Sequence, residues 1–252
     1  MALRSPVAVT RILGCVWVFP LLAAVVAFVF AWQLGRRYLP RRDGFYLLWT
    51  ISLVMYGAAS IAVTIGVASG WSESVFAVYW VLGAVLNVPF LAAGELVLLV
   101  RAAWVRWAVW LLLVFVSAYT VSVVVAAAVD PGALAERLPS GKDVFGDGTP
   151  AHRLPQLISI PSYLVLVIGT GWSAWRMRGR SDLRDRFVGT LLVAAGATII
   201  AGFGSAFAAL GNAPAFSASL LAGIAVIFWG FLRATKTVPV PDGEPVPDVP
   251  VG

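Results

Sequence analysis

Charge is what this chain has least of. Only 12% of its 252 residues are Asp, Glu, Lys or Arg, while 60% are apolar. A soluble domain carries about 25% charged residues, so the material for a hydrated shell over the whole surface is missing. A single cysteine, Cys15, excludes an internal disulfide framework. A single histidine, His152, excludes haem pairs and multi-histidine metal sites. No histidine or cysteine stands where it would form a nucleophile–base pair, and no phosphate-binding glycine loop is present. The chain therefore reads as non-enzymatic, with no metal and no cofactor. Lysine is nearly absent too: Arg outnumbers Lys sixteen to two. With abundant Ala, Val and Gly, that bias fits a GC-rich bacterial genome.

What is present in quantity is apolar sequence in long runs. A spanning helix needs roughly 20 mostly apolar residues, and seven segments qualify: 12–33, 45–68, 75–100, 104–129, 154–175, 187–210 and 215–232. A soluble helix would show polar residues along one face; here Ala, Val, Leu and Gly occupy the whole circumference. The first run is longer than the roughly 7–15 residues of a signal-peptide core, and Cys15 precedes it where a lipobox cysteine would follow. It reads as a retained helix. The expectation is an all-α, seven-helix transmembrane bundle, residues 1–236, in a lipid bilayer.

The basic residues sort between alternate loops. Thirteen fall on one side, including Arg36, Arg37, Arg41, Arg42, Arg101, Arg106 and a cluster from Arg176 to Arg186; five fall on the other, namely Arg4, Arg11, Arg137, Lys142 and Arg153. The positive-inside rule assigns the arginine-rich side to the cytosol. Trp32, Trp104, Trp107, Trp175 and Trp229 lie near the same side, as interface anchors. The expectation is an N-terminus outside and a C-terminus in the cytosol of a bacterial cytoplasmic membrane. The net charge of +6 then marks orientation, and no nucleic-acid partner is implied.

Residues 129–153 form one long external loop. Asp130-Pro131 reads as a cap and first turn, predicting a short surface helix over 133–138 that ends at Pro139-Ser140-Gly141. Asp143 and Asp147 match a calcium loop only in fragments. The tail, 237–252, has five prolines and no apolar periodicity, so it is expected to be disordered. Helices one to three and five to seven share a layout, and Gly57, Ser60 and Gly66 match Gly202, Ser205 and Gly211 at a constant offset. Parallel repeats of this kind build some transporter folds.

Few residues inside the spans carry chemistry. Glu95 is the one acid there, and a charge near the bilayer centre costs roughly 2.5–3.5 kcal/mol on insertion scales. It must be neutral, paired or near water: a proton or ligand contact, or a structural tie to Gln33, Arg36 or Arg37. Asn87 lies two turns earlier beside Pro89. Each in-helix proline frees a backbone carbonyl one turn back, and Pro20, Pro89 and Pro161 interrupt odd-numbered helices. Kinks there, with Asn87, Ser159, Ser162 and Tyr163, would line an outward-opening cavity, and plain helix packing explains them equally well; Tyr79 and Gln156 are further ligand or relay candidates. On helix six, Ala194, Thr198, Gly202 and Ala206 recur every four residues, a face that lets two helices approach closely.

Seven helices invite comparison with rhodopsins, but residues 215–232 hold no retinal-binding lysine. Leu154-Pro155-Gln156-Leu157 resembles the signature of PQ-loop transporters, which include the SWEET proteins. That resemblance implies a three-one-three helix plan; the first helix has only Phe19-Pro20, with no glutamine following. The segments Tyr79–Leu91 and Leu191–Ala197 resemble those of uncharacterised bacterial seven-helix membrane proteins, which implies architecture alone. Three readings follow. One is a bundle that binds or senses a small or lipid-like ligand; another is a small-molecule transporter; the third is an assembly subunit that docks a second membrane subunit through helix six.

Overall fold

The computed structural model describes residues 16–100, 102–179 and 183–235. Arg4, Arg11, Cys15, Arg101, Arg180, Lys236 and the tail 237–252 lie outside the described residues, as does the predicted start of the first span. The described residues are helical with no strands, and seven helices are long and apolar enough to cross a bilayer. We number them α1 (Val18–Arg41), α2 (Gly44–Ser69), α3 (Glu73–Leu99), α4 (Ala103–Val125), α5 (Pro150–Met177), α6 (Arg184–Ala209) and α7 (Ala213–Ala234). The chain is a multi-pass membrane protein.

Local chemistry sets the starts. Ser72 caps α3, its hydroxyl accepting from Val75 N at 3.3 Å. Thr149 caps α5 with Pro150 at the first turn, and Asn212 caps α7 by accepting from Ala215 N at 3.1 Å. The end of α1 departs from expectation. The helix runs about two turns past Gln33, carrying Arg36 and Arg37 with it. Charge did not stop it because long stems lie along apolar surface while their heads reach out; the Arg37 guanidinium sits 4.8 Å from the centre of the Phe231 ring. The stop comes at Arg42, in the left-handed region (φ 50°), whose N–H returns to Tyr38 O at 2.7 Å.

Six helices close a ring in chain order, α1-α2-α3-α5-α6-α7, with α7 back against α1; α4 lies outside, on α3 and the start of α5. Leu34, Leu53, Leu91, Leu166, Val193 and Ile227, one from each ring helix, surround a central void of about 20 Å³, room for about one water. Because lipid is as apolar as leucine, such helices associate through close packing and hydrogen bonds. Both are visible. Gly196 opposes Gly223 and Gly189 opposes Gly230 across α6 and α7: a Cβ on Gly196 would lie 2.6 Å from Gly223 O, and one on Gly230 would lie 2.7 Å from Gly189 O. Tyr56 on α2 donates to Leu220 O on α7 at 2.8 Å.

The small-residue stripe of α6 is not the face that meets α7. Thr198, Gly202 and Ala206 are exposed and Ala194 half-buried; a Cβ on Gly202 would meet only the methyl of Thr198, at 4.0 Å. The glycines that make the contact recur every seven residues, on a different face. The repeat matches fare no better as structural equivalents. Gly57, Ser60 and Gly66 are buried, whereas Gly202, Ser205 and Gly211 are exposed.

The long loop is not a surface appendage. Ala133, Leu134, Leu138, Val144 and Phe145 are buried against α2 and α3. Asp130 Oδ1 accepts from Gly132 N at 2.8 Å, so the expected helix shrinks to the single 3₁₀ turn Ala133–Ala135. The helical turn forms instead at Gly141–Phe145, capped by Ser140, where Ser140 and Asp143 also bond side chain to side chain. Asp147 pairs with Lys142 at 3.4 Å and approaches His152 at 3.6 Å. No metal-binding group of three or more His, Cys, Asp or Glu exists among the described residues. Gly141 is required where it stands, since a Cβ would come within 1.9 Å of the Trp80 ring. Trp71 Nε1 donates to Arg137 O and Trp80 Nε1 to Ala151 O, both at 3.1 Å. With Phe76, Tyr79, Phe145 and Phe216 these rings form one aromatic cluster that seals this end of the ring.

Candidate functional site

The polar groups inside the bundle are best followed from the prolines. Pro89 supplies no N–H for Val85 O, and the preceding stretch Tyr79–Leu86 is π-helical, a geometry enriched at functional sites. The Ser159 hydroxyl of α5 reaches this gap, 2.7 Å from Ala84 O and 3.0 Å from Val85 O. In return, Pro155 supplies no N–H for Ala151 O, and Trp80 of α3 donates there. Thus α3 and α5 each fill the backbone vacancy that a proline opens in the other.

The expected cavity residues do not converge. Asn87 turns to α2, its Oδ1 accepting from Ser52 Oγ at 2.6 Å. Tyr163 pairs with Thr198 of α6 at 2.8 Å. Tyr79 belongs to the aromatic seal, and Gln156 is exposed on the outside of α5. Ser159 holds α3, and Ser162 bonds Ile158 O within its own helix at 2.7 Å. Asn87, Ser159 and Tyr163 thus serve three separate helix contacts, α3 with α2, α5 with α3 and α5 with α6.

Glu95 is the exception. It is 3% exposed, one turn from Leu91 at the central void. Gly169 of α5 makes room for it: a Cβ there would lie 2.9 Å from Glu95 Cγ. The expected tie to Gln33, Arg36 or Arg37 is not made. Arg36 is exposed and Arg37 covers Phe231. Among the described residues no hydrogen bond or salt bridge is made by the Glu95 side chain.

A second feature lies at the arginine-rich end. A cleft of about 420 Å³ opens between the α1–α2 turn, the end of α3 and the start of α4, lined by Arg42, Asp43, Gly44, Phe45, Val97 and Arg106. Among the described residues neither arginine forms a salt bridge. Trp104 and Trp107, each 73% exposed, flank it on α4 and mark the level of the membrane interface. No protein-family model, curated protein or solved structure matches this chain. The site must therefore be read from its own chemistry.

That chemistry has two parts: a buried carboxylate among apolar walls, and an arginine-bearing cleft of ligand size about one turn beyond it along α3. Sequence reasoning found the first, because an acid in a span stands out. It did not resolve the second as a site, reading Arg42 and Arg106 among basic loops that mark orientation and can touch anionic headgroups. The one cue was their placement: each begins or ends a span with no acid three or four residues away.

Proposed function

We infer that this chain is a non-enzymatic protein of a bacterial cytoplasmic membrane that binds or senses a small or lipid-like ligand at its cytosolic end. The observation that carries the reading is the contrast between the two ends. The loop end is plugged by aromatic side chains, and the central void holds about one water. The arginine-rich end keeps a cleft of about 420 Å³, within the roughly 300–1,000 Å³ of small-molecule sites. The cytosolic assignment rests on the thirteen-to-five split of basic residues. Glu95, on the helix whose last turn lines the cleft, is the group through which occupancy would reach the bundle interior.

Native mass spectrometry of the protein released from mild detergent tests this, comparing the natural chain with Gly44→Leu. A side chain at Gly44 has room, since its Cβ would meet only Val97 Cγ1 at 3.9 Å, and it would project into the cleft without breaking the fold. A bound small molecule or lipid on the natural chain, lost in the variant, is expected. Identical bound species on both would refute the reading.

One observation favours an assembly role as well. Leu111, Leu112, Val114 and Phe115 of α4 are all well exposed, and the small-residue face of α6 turns outward. A second membrane subunit would bury either face. Cysteine cross-linking from Ala206 or Leu112 in membranes tests it, with monomer alone as the refuting result. The transporter reading draws less support, because Asn87 is bonded to Ser52.

A further inference from the structure

The geometry points to a phosphate-bearing anion as the ligand of the cleft between the α1–α2 turn and α4, an assignment that rests on the ligand-binding reading above. Four observations converge. First, Arg42 from the α1–α2 turn and Arg106 from α4 line the cleft, and neither forms a salt bridge among the described residues. Arginine's planar fork suits phosphate oxygens. Second, Arg42 is the only non-glycine with positive φ among the described residues (φ 50°). L side chains disfavour that region, and glycine or asparagine would close the helix more cheaply. An arginine held there is a strained residue, and strain of this kind gathers at functional positions.

Third, Gly44 and Phe45 begin α2 inside the cleft. Asp43 makes no side-chain cap and its carbonyl takes only Tyr46 N, at 3.0 Å, so the N–H groups of Gly44 and Phe45 remain for an acceptor at the end of a 26-residue helix where the dipole favours negative charge. Fourth, the neighbouring Trp104 and Trp107 set the cleft at headgroup depth, where basic pockets between helices meet anionic lipid heads. Asp43 is the one opposing charge in the lining, and it makes the assignment testable in both directions.

The test uses the full chain in nanodiscs of zwitterionic phosphatidylcholine, titrated with short-chain phosphatidic acid or with inorganic phosphate. Tryptophan fluorescence and melting temperature are the readouts. Binding should weaken about fivefold or more in Arg106→Gln and in Arg42→Gly, and tighten in Asp43→Asn; Arg153→Gln, at the opposite end, should leave it unchanged. Arg42→Gly separates binding from folding, since glycine accepts the φ of 50° and should raise the melting temperature while losing ligand. Binding of the lipid alone assigns a membrane headgroup, and binding of both probes assigns the phosphate group from either source. No binding of either probe, or an affinity in both arginine variants unchanged from that of the natural chain, overturns the assignment; so does a preference for cations that Asp43→Asn abolishes. If Gly44→Leu strips a bound species while the phosphate probes fail, the phosphate assignment falls and the wider reading stands. If Gly44→Leu strips nothing, the wider reading falls with it.

Discussion

The exchange of hydrogen bonds between α3 and α5 can be tested as a thermodynamic coupling. Ser159→Ala removes the donor that serves Ala84 O and Val85 O at 2.7 and 3.0 Å. Hydrogen bonds between membrane helices average about 0.6 kcal/mol and reach about 1.7. Here the acceptor has lost its own backbone donor to Pro89, so the upper part of that range applies: about 1–1.7 kcal/mol. Pro89→Ala restores an N–H one turn past Val85. In that background Val85 O has a partner within its own helix, and deleting the serine should cost only about 0.5 kcal/mol. A double-mutant cycle of equilibrium unfolding in mixed micelles measures the difference, expected at about 0.5–1 kcal/mol. Additive losses, within about 0.3 kcal/mol, would refute the claim that the proline creates the need the serine meets.

Other substitutions probe other parts of the molecule. Gly196→Leu should force α6 from α7, because a Cβ there lies 2.6 Å from Gly223 O; a loss of about 1–3 kcal/mol is expected, against almost none for Gly202→Leu, read from melting temperatures in detergent. Gly141→Ala drives a methyl into the Trp80 ring and should free the loop, seen as faster protease cleavage between Ala126 and Thr149. Glu95→Leu replaces an unpartnered buried carboxyl by an apolar group of similar size, so the melting temperature should rise even if ligand response is lost. The Arg233–Asp185 pair, 3.0 Å apart but partly exposed on both sides, should be worth under about 1 kcal/mol on deletion.

The seven crossings were legible because hydropathy over twenty residues is a property of the sequence alone. Where they end was less so. Charge at Arg36 and Arg37 looked like loop, yet snorkelling stems let α1 continue to a stop written only in the backbone of Arg42. Pro89 likewise announced one open carbonyl without saying which side chain would reach it, and Pro155, noted only within a signature, did not announce the other. On α6, the four-residue stripe drew attention to a face that reaches the rest of the chain through the Thr198–Tyr163 bond and not through close glycine packing. The pairs that pack, Gly189 with Gly230 and Gly196 with Gly223, carry a seven-residue spacing on both helices, but recognising it needs the partner helix. The loop was opaque for a similar reason: Leu138, Val144 and Phe145 have no period, and only Trp71 and Trp80 give them a surface to cover. Glu95 was visible as an anomaly, and its lack of a partner was not.

The α3–α5 exchange also bears on how the chain is made. Synthesis delivers α3 to the membrane well before α5, so an interval exists in which Val85 carries an open carbonyl in hydrocarbon, a state costly enough to disfavour. Trp80 waits likewise for Ala151. The first four helices are thus an unfinished assembly, and arrival of the fifth is the step that commits them. Such an intermediate invites a chaperone or an insertase to hold it.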